Sequence, residues 1–411
     1  MQSLMILGRL PGLGLAELES LYGAGKVRSV GEAAAVVDVD PCLLAFDRLG
    51  GSVKFCKVLT ELDTTNWKEI ENFLVKVSPG HAQRLPEGKM QLGLSLYGFK
   101  ESVRQIEATG LTLKKVIRAS GRSVRLTPNK EPELNSAQVY HNHLTGPTGW
   151  ELIFVKDGNK TVVAQTVKVQ DINAYSSRDQ ARPKRDTRVG MLPPKLAQII
   201  INLAAGQLQE DTLQNICDIP AGEPVPRALL NKTVLDPFCG TGVILQEALL
   251  MGYDIRGTDL EPRMVDYSKQ NLEWLSSTYN LEPRTNNLEV ADATTAKWQA
   301  PIDFVASETY LGRPFTSRPT PEILAQTAAD CNLIIKKFLR NIHGQLQPGA
   351  RLCLAIPAWQ TGKNVFKHLP LIDQMEDIGY NRISFEHAGS ELVYYREDQF
   401  TARELLVITR K

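Results

Sequence analysis

The first eighty residues alternate short apolar runs with amphipathic ones, a pattern that predicts strands separated by helices. Residues 2–7 and the stretch AAVVDV (34–39) are typical of strands. The stretches GLAELESLYG (14–23) and TNWKEIENFLVKV (65–77) repeat with a helical period. Strands alternating with helices over this length predict a small two-layer α+β domain, which we place at residues 1–80.

A second module is predicted at residues 88–170, after the proline- and glycine-rich segment SPGHAQRLPEGK (78–89). The module opens with a strand (90–99) and a helical pattern (100–121) in which Gly110 suggests a break between two helices. Further strands are predicted in three stretches, the last of them a hairpin that turns at KDGNK. These stretches are SVRLTP (123–128), AQVYHNHL (137–144) and WELIFVKDGNKTVVAQTVKVQ (150–170).

The remainder of the chain, residues 189–411, follows a polar and basic linker predicted at 171–188. It begins with the apolar-periodic helix PPKLAQIIINLAA, which has proline in its first turn. Strand and helix patterns then alternate, which predicts an α/β domain with a mostly parallel sheet. The closing strand pair, in residues 391–397 and 403–411, predicts an antiparallel hairpin at the sheet edge.

Composition bounds the function classes. Hydrophobic residues make up 43% of the chain and charged residues 23%, and the net charge is +1, so any nucleic-acid surface must be local. The six cysteines are scattered with no CxxC pair, which argues against structural zinc and a disulfide framework. No apolar run reaches the roughly 18 residues of a spanning helix, and the apolar N-terminus lacks a basic leader. These features predict a cytoplasmic protein with no membrane association and no metal site.

Positive charge is concentrated between residues 100 and 130, where Glu101 and Glu107 are the only acids. Several of these cations share one helical face by their spacing. Two interpretations stay open: a surface that contacts RNA phosphates, or a solvated helix face. The candidate RNA-binding residues are Lys114, Lys115, Arg118, Arg122 and, in a later turn, Arg313.

The stretch TVLDPFCGTG (233–242) is the most specific chemical signal in the chain. A buried strand is predicted to run into Asp236, followed by a glycine turn and a helix. Gly240 and Gly242 would let the backbone approach a ligand at the carboxyl end of the strand. Taken alone, such a turn is equally typical of a helix start that binds nothing.

Two further acids end the next strands: Asp259 follows IRGT, and Asp292 follows LEVA. An acid at the first position could hold ribose hydroxyls, and one at the second could meet an adenine amino group. Each acid could instead cap a helix, but the three in succession favour a nucleoside-bearing ligand. Because neither GxGxxG nor GK[ST] is present, S-adenosylmethionine fits better than a dinucleotide or ATP.

The stretches DPFCGTG, GTDLEPRMV and RVGMLPPKLAQIIINLA together resemble the tRNA guanosine-N2 methyltransferases that carry an N-terminal THUMP domain. The resemblance covers nearly the whole chain. It implies a ferredoxin-like domain (1–80), a THUMP RNA-binding domain (88–170) and a C-terminal Rossmann-like methyltransferase domain (189–411), hence an α/β + α+β fold. It also implies tRNA as partner and substrate, a monomer, and room for a small activating protein subunit. The implied cofactor contacts are Leu192, Pro193, Pro194, Asp236, Phe238, Gly240, Gly242, Asp259 and Asp292.

The turn SETYLG (307–312) departs from the D-P-P-Y motif of that family. In the family the acid and the next carbonyl accept the hydrogens of the amine, and the aromatic ring stacks on the base. One register puts Glu308 at the acid position, with the Thr309 carbonyl assisting and Tyr310 stacking. The other register, aligned on Tyr310, puts Ser307 there.

Three functions are therefore compatible with this turn. We expect methyl transfer to guanosine N2 in tRNA, with Glu308 as amine acceptor. A DNA adenine or cytosine amino-methyltransferase is less compatible with the basic N-terminal module. A non-catalytic tRNA-binding protein that retains the cofactor fold would have a decayed turn, with Tyr310 packed in the core.

Overall fold

A computed structural model describes residues 2–186, 191–282, 287–315, 317–389 and 392–411. The chain forms two compact units. The first comprises Met1–Pro11, Gly25–Phe46 and Ser52–Ile172, and the second comprises Gly12–Ala24, Asp47–Gly51 and Asn173–Lys411.

The secondary structure is numbered in chain order. The strands are β1 Ser3–Leu7, β2 Val27–Val30, β3 Ala34–Val37, β4 Ser52–Leu62, β5 Met90–Tyr97, β6 Val124–Leu126, β7 Gly149–Asp157, β8 Lys160–Val169, β9 Thr233–Asp236, β10 Asp254–Asp259, β11 Leu288–Val290, β12 Phe304–Glu308, β13 Arg351–Gly362, β14 Val365–Lys367, β15 Tyr380–Arg382, β16 Val393–Tyr394 and β17 Thr401–Arg410. The helices are α1 Pro11–Tyr22, α2 Trp67–Ala82, α3 Val103–Ala119, α4 Ser136–His141, α5 Ile172–Gln180, α6 Pro194–Ala205, α7 Glu210–Cys217, α8 Val243–Leu250, α9 Pro262–Tyr279 and α10 Pro321–His343.

The first unit is built on one eight-stranded sheet in the order β2-β3-β1-β4-β8-β7-β5-β6. Only β5 pairs in parallel, with β6 and β7. The helices α2 and α3 contribute the buried residues Ile70, Leu74, Ile106, Leu113 and Ile117 to a core with β5 and β7. This core is the apolar face that the helical periodicity predicts.

The two modules predicted before residue 170 share this sheet. The long strand β4 pairs antiparallel with β8, so the halves 1–80 and 88–170 satisfy each other's edge hydrogen bonds. The structure therefore contains one compact unit where the sequence predicts a boundary, and α2 continues through Pro79 to Ala82.

Two predicted features of the second module are wrong. AQVYHNHL is not a strand: Asn135 and Gln138 form a capping box that starts α4. Gly110 does not divide the predicted helix, because α3 is continuous across it. A Cβ at Gly110 would lie 2.8 Å from Leu126 Cδ1, so the glycine serves close packing instead.

The helix α1, predicted to belong to the N-terminal domain, lies in the second unit. The buried carboxylate of Glu17 explains this placement. Its Oε1 accepts hydrogen bonds from Gly50 N (3.0 Å) and Asn202 Nδ2 (2.8 Å), and its Oε2 accepts one from Gly51 N (2.8 Å). The network joins α1, the 47–51 segment and α6.

The second unit contains a nine-stranded sheet with the main order β11-β10-β9-β12-β13-β17-β15, to which β14 and β16 add at the side. The pairs from β11 to β13 are parallel, and β17 is antiparallel to β13. The chain leaves β9 first toward β10 and later returns to its other side as β12. This reversal of strand order creates the switch point at which α/β folds bind ligands.

The predicted edge hairpin and linker need correction. The strand β17 lies inside the sheet between β13 and β15, and β16 is only a two-residue partner. The predicted linker (171–188) contains α5, whose buried Arg178 pairs with Glu247 of α8 at 2.7 Å. The boundary at 188/189 and the basic residue Arg188 lie outside the described residues.

Across the described ranges, the helices include none with the length and apolar character to cross a membrane.

Candidate active site

Three of the predicted acids end neighbouring strands of the second unit. Asp236 is the last residue of β9, Asp259 of β10 and Glu308 of β12, while Asp292 follows β11 by two residues. Because these strands are parallel neighbours, their carboxyl ends meet at the same edge of the sheet. The fold therefore gathers side chains that are far apart in sequence.

Asp236 is fully enclosed at this edge. Its Oδ1 accepts a hydrogen bond from Ser307 Oγ at 2.6 Å and one from Phe238 N at 3.2 Å. Burial raises the pKa of Asp236 to about 7, although both hydrogen bonds oppose that shift. A carboxyl whose pKa lies near neutral pH binds a cationic amino group best once the carboxyl is ionised.

The glycine turn after β9 has the backbone that the sequence predicts. Gly240 and Gly242 have φ of +51° and +82°, values that other residues adopt only with strain. A Cβ on Gly242 would lie 2.9 Å from Ser268 Oγ of α9. The turn thus requires glycine for both its conformation and its packing.

Asp259 is tied to the same turn. Its Oδ2 accepts a hydrogen bond from Gly240 N at 2.9 Å, and its Oδ1 accepts one from Glu261 N at 2.9 Å. Partial burial raises the pKa of Asp259. The next residue, Leu260, is 71% exposed, so a large apolar side chain stands open beside the acid.

Asp292 caps the turn that follows it. Its Oδ1 accepts hydrogen bonds from Thr294 N and Thr294 Oγ1, both at 2.8 Å. This is the capping role that any one of these acids could have by sequence. The second carboxylate oxygen, Oδ2, takes no part in these two bonds.

The segment that approaches α6 is fastened to the glycine turn by Asn271 of α9. The Asn271 side chain accepts a hydrogen bond from Lys184 N and donates to Lys184 O, each at 2.9 Å, and it donates to Thr241 O at 2.8 Å. Ser268 likewise donates to Gly240 O at 2.8 Å. Sequence reasoning missed both α9 residues, because nothing local in YSKQN marks them as partners of a distant turn.

The remaining predicted cofactor residues border this arrangement. Leu192 and Pro194 are buried at the start of α6, and Pro193 occupies the N-cap position. Phe238 packs edge-on against Phe338 of α10, with ring centroids 5.3 Å apart. The structure describes their positions, and their contact with a cofactor stays a prediction.

The turn 307–312 contains an ion pair that the sequence did not reveal. Nε of Arg403, on β17, donates to Oε1 of Glu308. Thr309 is buried, and its N–H donates to Ala355 O at 3.0 Å. Tyr310 is 43% exposed, so it is not packed in the core as a decayed turn would have it. Gly312 has a φ of +87°, and a Cβ there would lie 2.5 Å from Thr327 Cγ2.

The two registers differ in exposure. Ser307 is fully buried, and its hydroxyl donates to Asp236. In the register aligned on Tyr310, Ser307 would have to give up this hydrogen bond to meet the substrate amine, and that register stays a prediction. The Glu308 side chain is 16% exposed and keeps Oε2 outside the bond to Arg403, so the geometry favours Glu308 as the candidate acceptor.

The predicted RNA-binding cations are distributed over both units. Lys115 and Arg118 are exposed on α3, and Lys114 is half-buried. Arg122 is committed to the fold, because its guanidinium donates to Leu85 O at 3.2 Å and to Pro86 O. Its contact with RNA stays a prediction. Arg313 is exposed just beyond the turn 307–312.

In the part of the chain that the structure describes, no group of three or more His, Cys, Asp and Glu side chains is arranged to hold a metal ion.

Residues 230–388 match a family model described as a methyltransferase domain. A tRNA (guanine(10)-N2)-dimethyltransferase of Methanothermobacter thermautotrophicus is 29% identical over 184 residues, which cover 44% of this chain and 43% of that protein. The enzyme of the same name from Pyrococcus abyssi is 29% identical over 181 residues, covering 42% and 47%. The matched part thus spans less than half the length of these relatives.

Among solved structures, TrmN from Thermus thermophilus aligns over 100% of both chains with a TM-score of 0.51 and 15% identity. At this identity the likeness concerns the fold alone, and it confirms the predicted Rossmann-like class. The predicted resemblance is also confirmed, since the relatives found by sequence are tRNA guanine-N2 methyltransferases. Residues 230–388 are therefore a methyltransferase domain of Rossmann-like fold, whose cofactor is S-adenosylmethionine.

Proposed function

We propose that this protein methylates the exocyclic N2 amine of a guanosine in tRNA. The observation that carries the proposal is the position of Glu308 and Tyr310. Glu308 ends β12, the strand beside β9, so its carboxylate lies at the same sheet edge as Asp236 and the glycine turn. The names of the curated relatives support guanosine N2 and tRNA as the acceptor.

The residues at the sheet edge fit S-adenosylmethionine. Asp236 would bind the amino group of its methionine part, Asp259 the ribose hydroxyls and Asp292 the adenine amine through Oδ2. The exposed Leu260 would cover a face of the adenine, which explains an open leucine beside a polar strand end. Leu192 to Pro194 would lie over the far end of the cofactor. When bound, the cofactor supplies an electrophilic methyl group on a positively charged sulfur.

The catalytic turn would act by position and charge. Glu308 Oε2 and the Thr309 carbonyl would accept the hydrogens of the amine, which directs the nitrogen lone pair at the methyl group. The carboxylate would also stabilise the positive charge that develops on the nitrogen. Tyr310, which is open to solvent, would stack on the target base after that base has flipped out of the RNA helix.

Cations on α3 and beyond β12 supply the proposed RNA contacts. Lys114, Lys115 and Arg118 on α3 would bind phosphates as part of a THUMP domain in residues 88–170, and Arg313 would hold a phosphate near the target base. The ferredoxin-like assignment of residues 1–80 belongs to the same proposal. With tRNA as substrate, we infer a cytoplasmic monomer that could accept a small activating subunit.

The test is a methylation assay on unmodified tRNA transcripts with labelled S-adenosylmethionine, followed by digestion to nucleosides. Wild type is expected to form N2-methylguanosine, and Glu308→Gln is expected to lower kcat by roughly 100-fold, because it removes the charge at the acceptor. Glu273→Gln, an exposed acid on α9, is the matched control. Equal activity of Glu308→Gln and wild type would remove Glu308 from the mechanism.

A second candidate function has one observation in its favour. Because Arg403 already neutralises Glu308, the turn could have lost its chemistry while the domain still binds cofactor and tRNA. Tight cofactor binding without any methylated nucleoside from a full set of tRNA transcripts would support that reading.

A further inference from the structure

The ion pair between Arg403 and Glu308 links two strands that are not neighbours. Arg403 lies on β17 opposite Pro357 of β13, and Glu308 ends β12 opposite Ala355 of β13. The Arg403 side chain therefore reaches across β13 at Ala355 and Pro357 and places its Nε against Glu308 Oε1. Both side chains are largely enclosed, with 7% and 16% of their surfaces exposed.

The direction of Arg403 is set by strand alternation. Successive side chains on β17 point to opposite faces, so Glu404 lies on the other side of the sheet from Arg403. Glu404 is occupied there by His368 at 2.6 Å and Arg382 at 3.7 Å. Within the described ranges, Arg403 forms its ion pair with Glu308.

Stability alone gives a weak reason for such a pair. Removing two charges from water costs about as much as their attraction returns, so enclosed ion pairs add little net stability. What the pair does fix is geometry, because a guanidinium held by packing restricts the rotamers of the carboxylate it binds. That effect matters most at a residue whose position controls a reaction.

We propose that Arg403 is a positioning residue for Glu308, an inference that rests on the proposed function. Glutamate has one more rotatable bond than the aspartate of the D-P-P-Y motif, and its carboxylate would otherwise sample several positions. Arg403 holds Oε1 and leaves Oε2 directed at the substrate amine. The pair thus replaces the rigidity that a shorter acid and two prolines would provide.

The test compares Arg403→Met and Arg403→Lys with wild type in the tRNA methylation assay. Arg403→Met is expected to lower kcat by roughly 100-fold, the effect of misplacing a catalytic group by about 1 Å. The KM values for S-adenosylmethionine and tRNA should change less than threefold. Arg403→Lys keeps the cation without the rigid fork and should lose less.

Chemical rescue separates positioning from folding. Arg403→Ala leaves space for a free guanidinium ion, and millimolar guanidinium is expected to restore part of kcat to this variant but none to Glu308→Gln. Arg351→Met is the matched control: Arg351 is a largely enclosed arginine at the other end of β13, bonded to Ser20 and Leu203 O. It should alter the melting temperature and leave kcat near wild type.

The outcomes distinguish the two proposals. A wild type that forms no N2-methylguanosine overturns the proposed function and the positioning role with it. An active wild type with unchanged kcat in Arg403→Met, or with a raised KM for tRNA alone, overturns only the positioning role; the second result would make Arg403 a phosphate contact. If Arg403→Met fails to fold, the rescue experiment decides: a folded Arg403→Ala whose kcat equals that of wild type, or is not raised by guanidinium, overturns the positioning role.

Discussion

At the scale of single residues, the candidate site depends on carboxylates held in unlike environments. Asp236 is enclosed and accepts hydrogen bonds from Ser307 and Phe238. Glu308 instead forms an ion pair with the Arg403 guanidinium. Burial raises the pKa of Asp236 to about 7, so its charge changes near neutral pH. The two acids can therefore serve different tasks, one at the cofactor and one at the amine.

The raised pKa of Asp236 predicts how cofactor affinity depends on pH. If ionised Asp236 binds the amino group of S-adenosylmethionine, the ionised fraction and the affinity should rise roughly tenfold from pH 6 to pH 8. Calorimetric titration of S-adenosylmethionine at pH 6, 7 and 8 measures this dependence. Asp236→Asn should bind weakly at every pH; a variant with the same slope as wild type would assign the titration to another group.

The same shift has a consequence for stability without cofactor. Because the pKa of Asp236 is higher in the folded protein than in the unfolded chain, folding favours the protonated form. The free energy of unfolding should therefore fall as pH rises from about 4 to about 7. Asp236→Asn should be more stable than wild type at pH 8, by on the order of 2 kcal/mol, in a cofactor-free thermal melt.

At the scale of elements, α9 organises the cofactor turn. Its residues Ser268 and Asn271 bind the carbonyls of Gly240 and Thr241, and Asn271 also holds both backbone groups of Lys184. One helix face therefore fixes the turn after β9 and the segment that leads toward α6. These elements are separated in sequence, and α9 is their common support.

We expect Asn271→Ala to loosen that support. The substitution removes three hydrogen bonds and leaves enclosed backbone groups unpaired, each costing about 1–3 kcal/mol. The affinity for S-adenosylmethionine should fall about tenfold, and trypsin should cut more rapidly after Lys184 and Arg185. Gln270→Ala, which removes only a bond to Asp266 on the helix surface, is the control. Identical proteolysis of both variants would contradict the role of Asn271.

Element prediction succeeded where an apolar run ends at a polar turn, and it failed where a cap or a packing contact outweighed the local pattern. The strands ending at Asp236, Asp259 and Glu308 follow from their apolar runs before a polar turn. The stretch 137–144 alternates apolar and polar residues like a strand, yet the Asn135–Gln138 capping box makes it helical. Gly110 looks like a break, but packing against Leu126 outweighs its low helix propensity.

At the scale of the whole molecule, chain order and compact units do not coincide. The helix α1 and residues 47–51 belong to the second unit, although more than a hundred residues separate them from its main part. Ser20 Oγ donates to Asn202 O at 3.0 Å, and Glu19 accepts hydrogen bonds from Glu386 N and His387 N at 2.7 and 2.8 Å. The methyltransferase unit thus needs a helix from the start of the chain.

A fragment of residues 173–411 should consequently be less stable than the full chain. Loss of α1 leaves Asn202 and the Glu386 and His387 N–H groups without their partners, at about 1–3 kcal/mol each. The sum is a large share of a typical net stability of about 5–15 kcal/mol. We expect no cooperative thermal transition by circular dichroism. A fragment that melts within a few degrees of the full chain would contradict this dependence on α1.

The sequence by itself determined the methyltransferase domain, the acids at its strand ends and the unusual turn at 307–312. These features are local: an apolar run, an acid and a glycine turn follow one another along the chain, and their spacing carries the signal. The tertiary structure decided what surrounds this turn, whereas the choice between its two registers stays a prediction. Ser307 meets Asp236 across 71 residues and Glu308 meets Arg403 across 95. Such partners are brought together by sheet order, which depends on how distant strands pair and so cannot be derived from either segment alone.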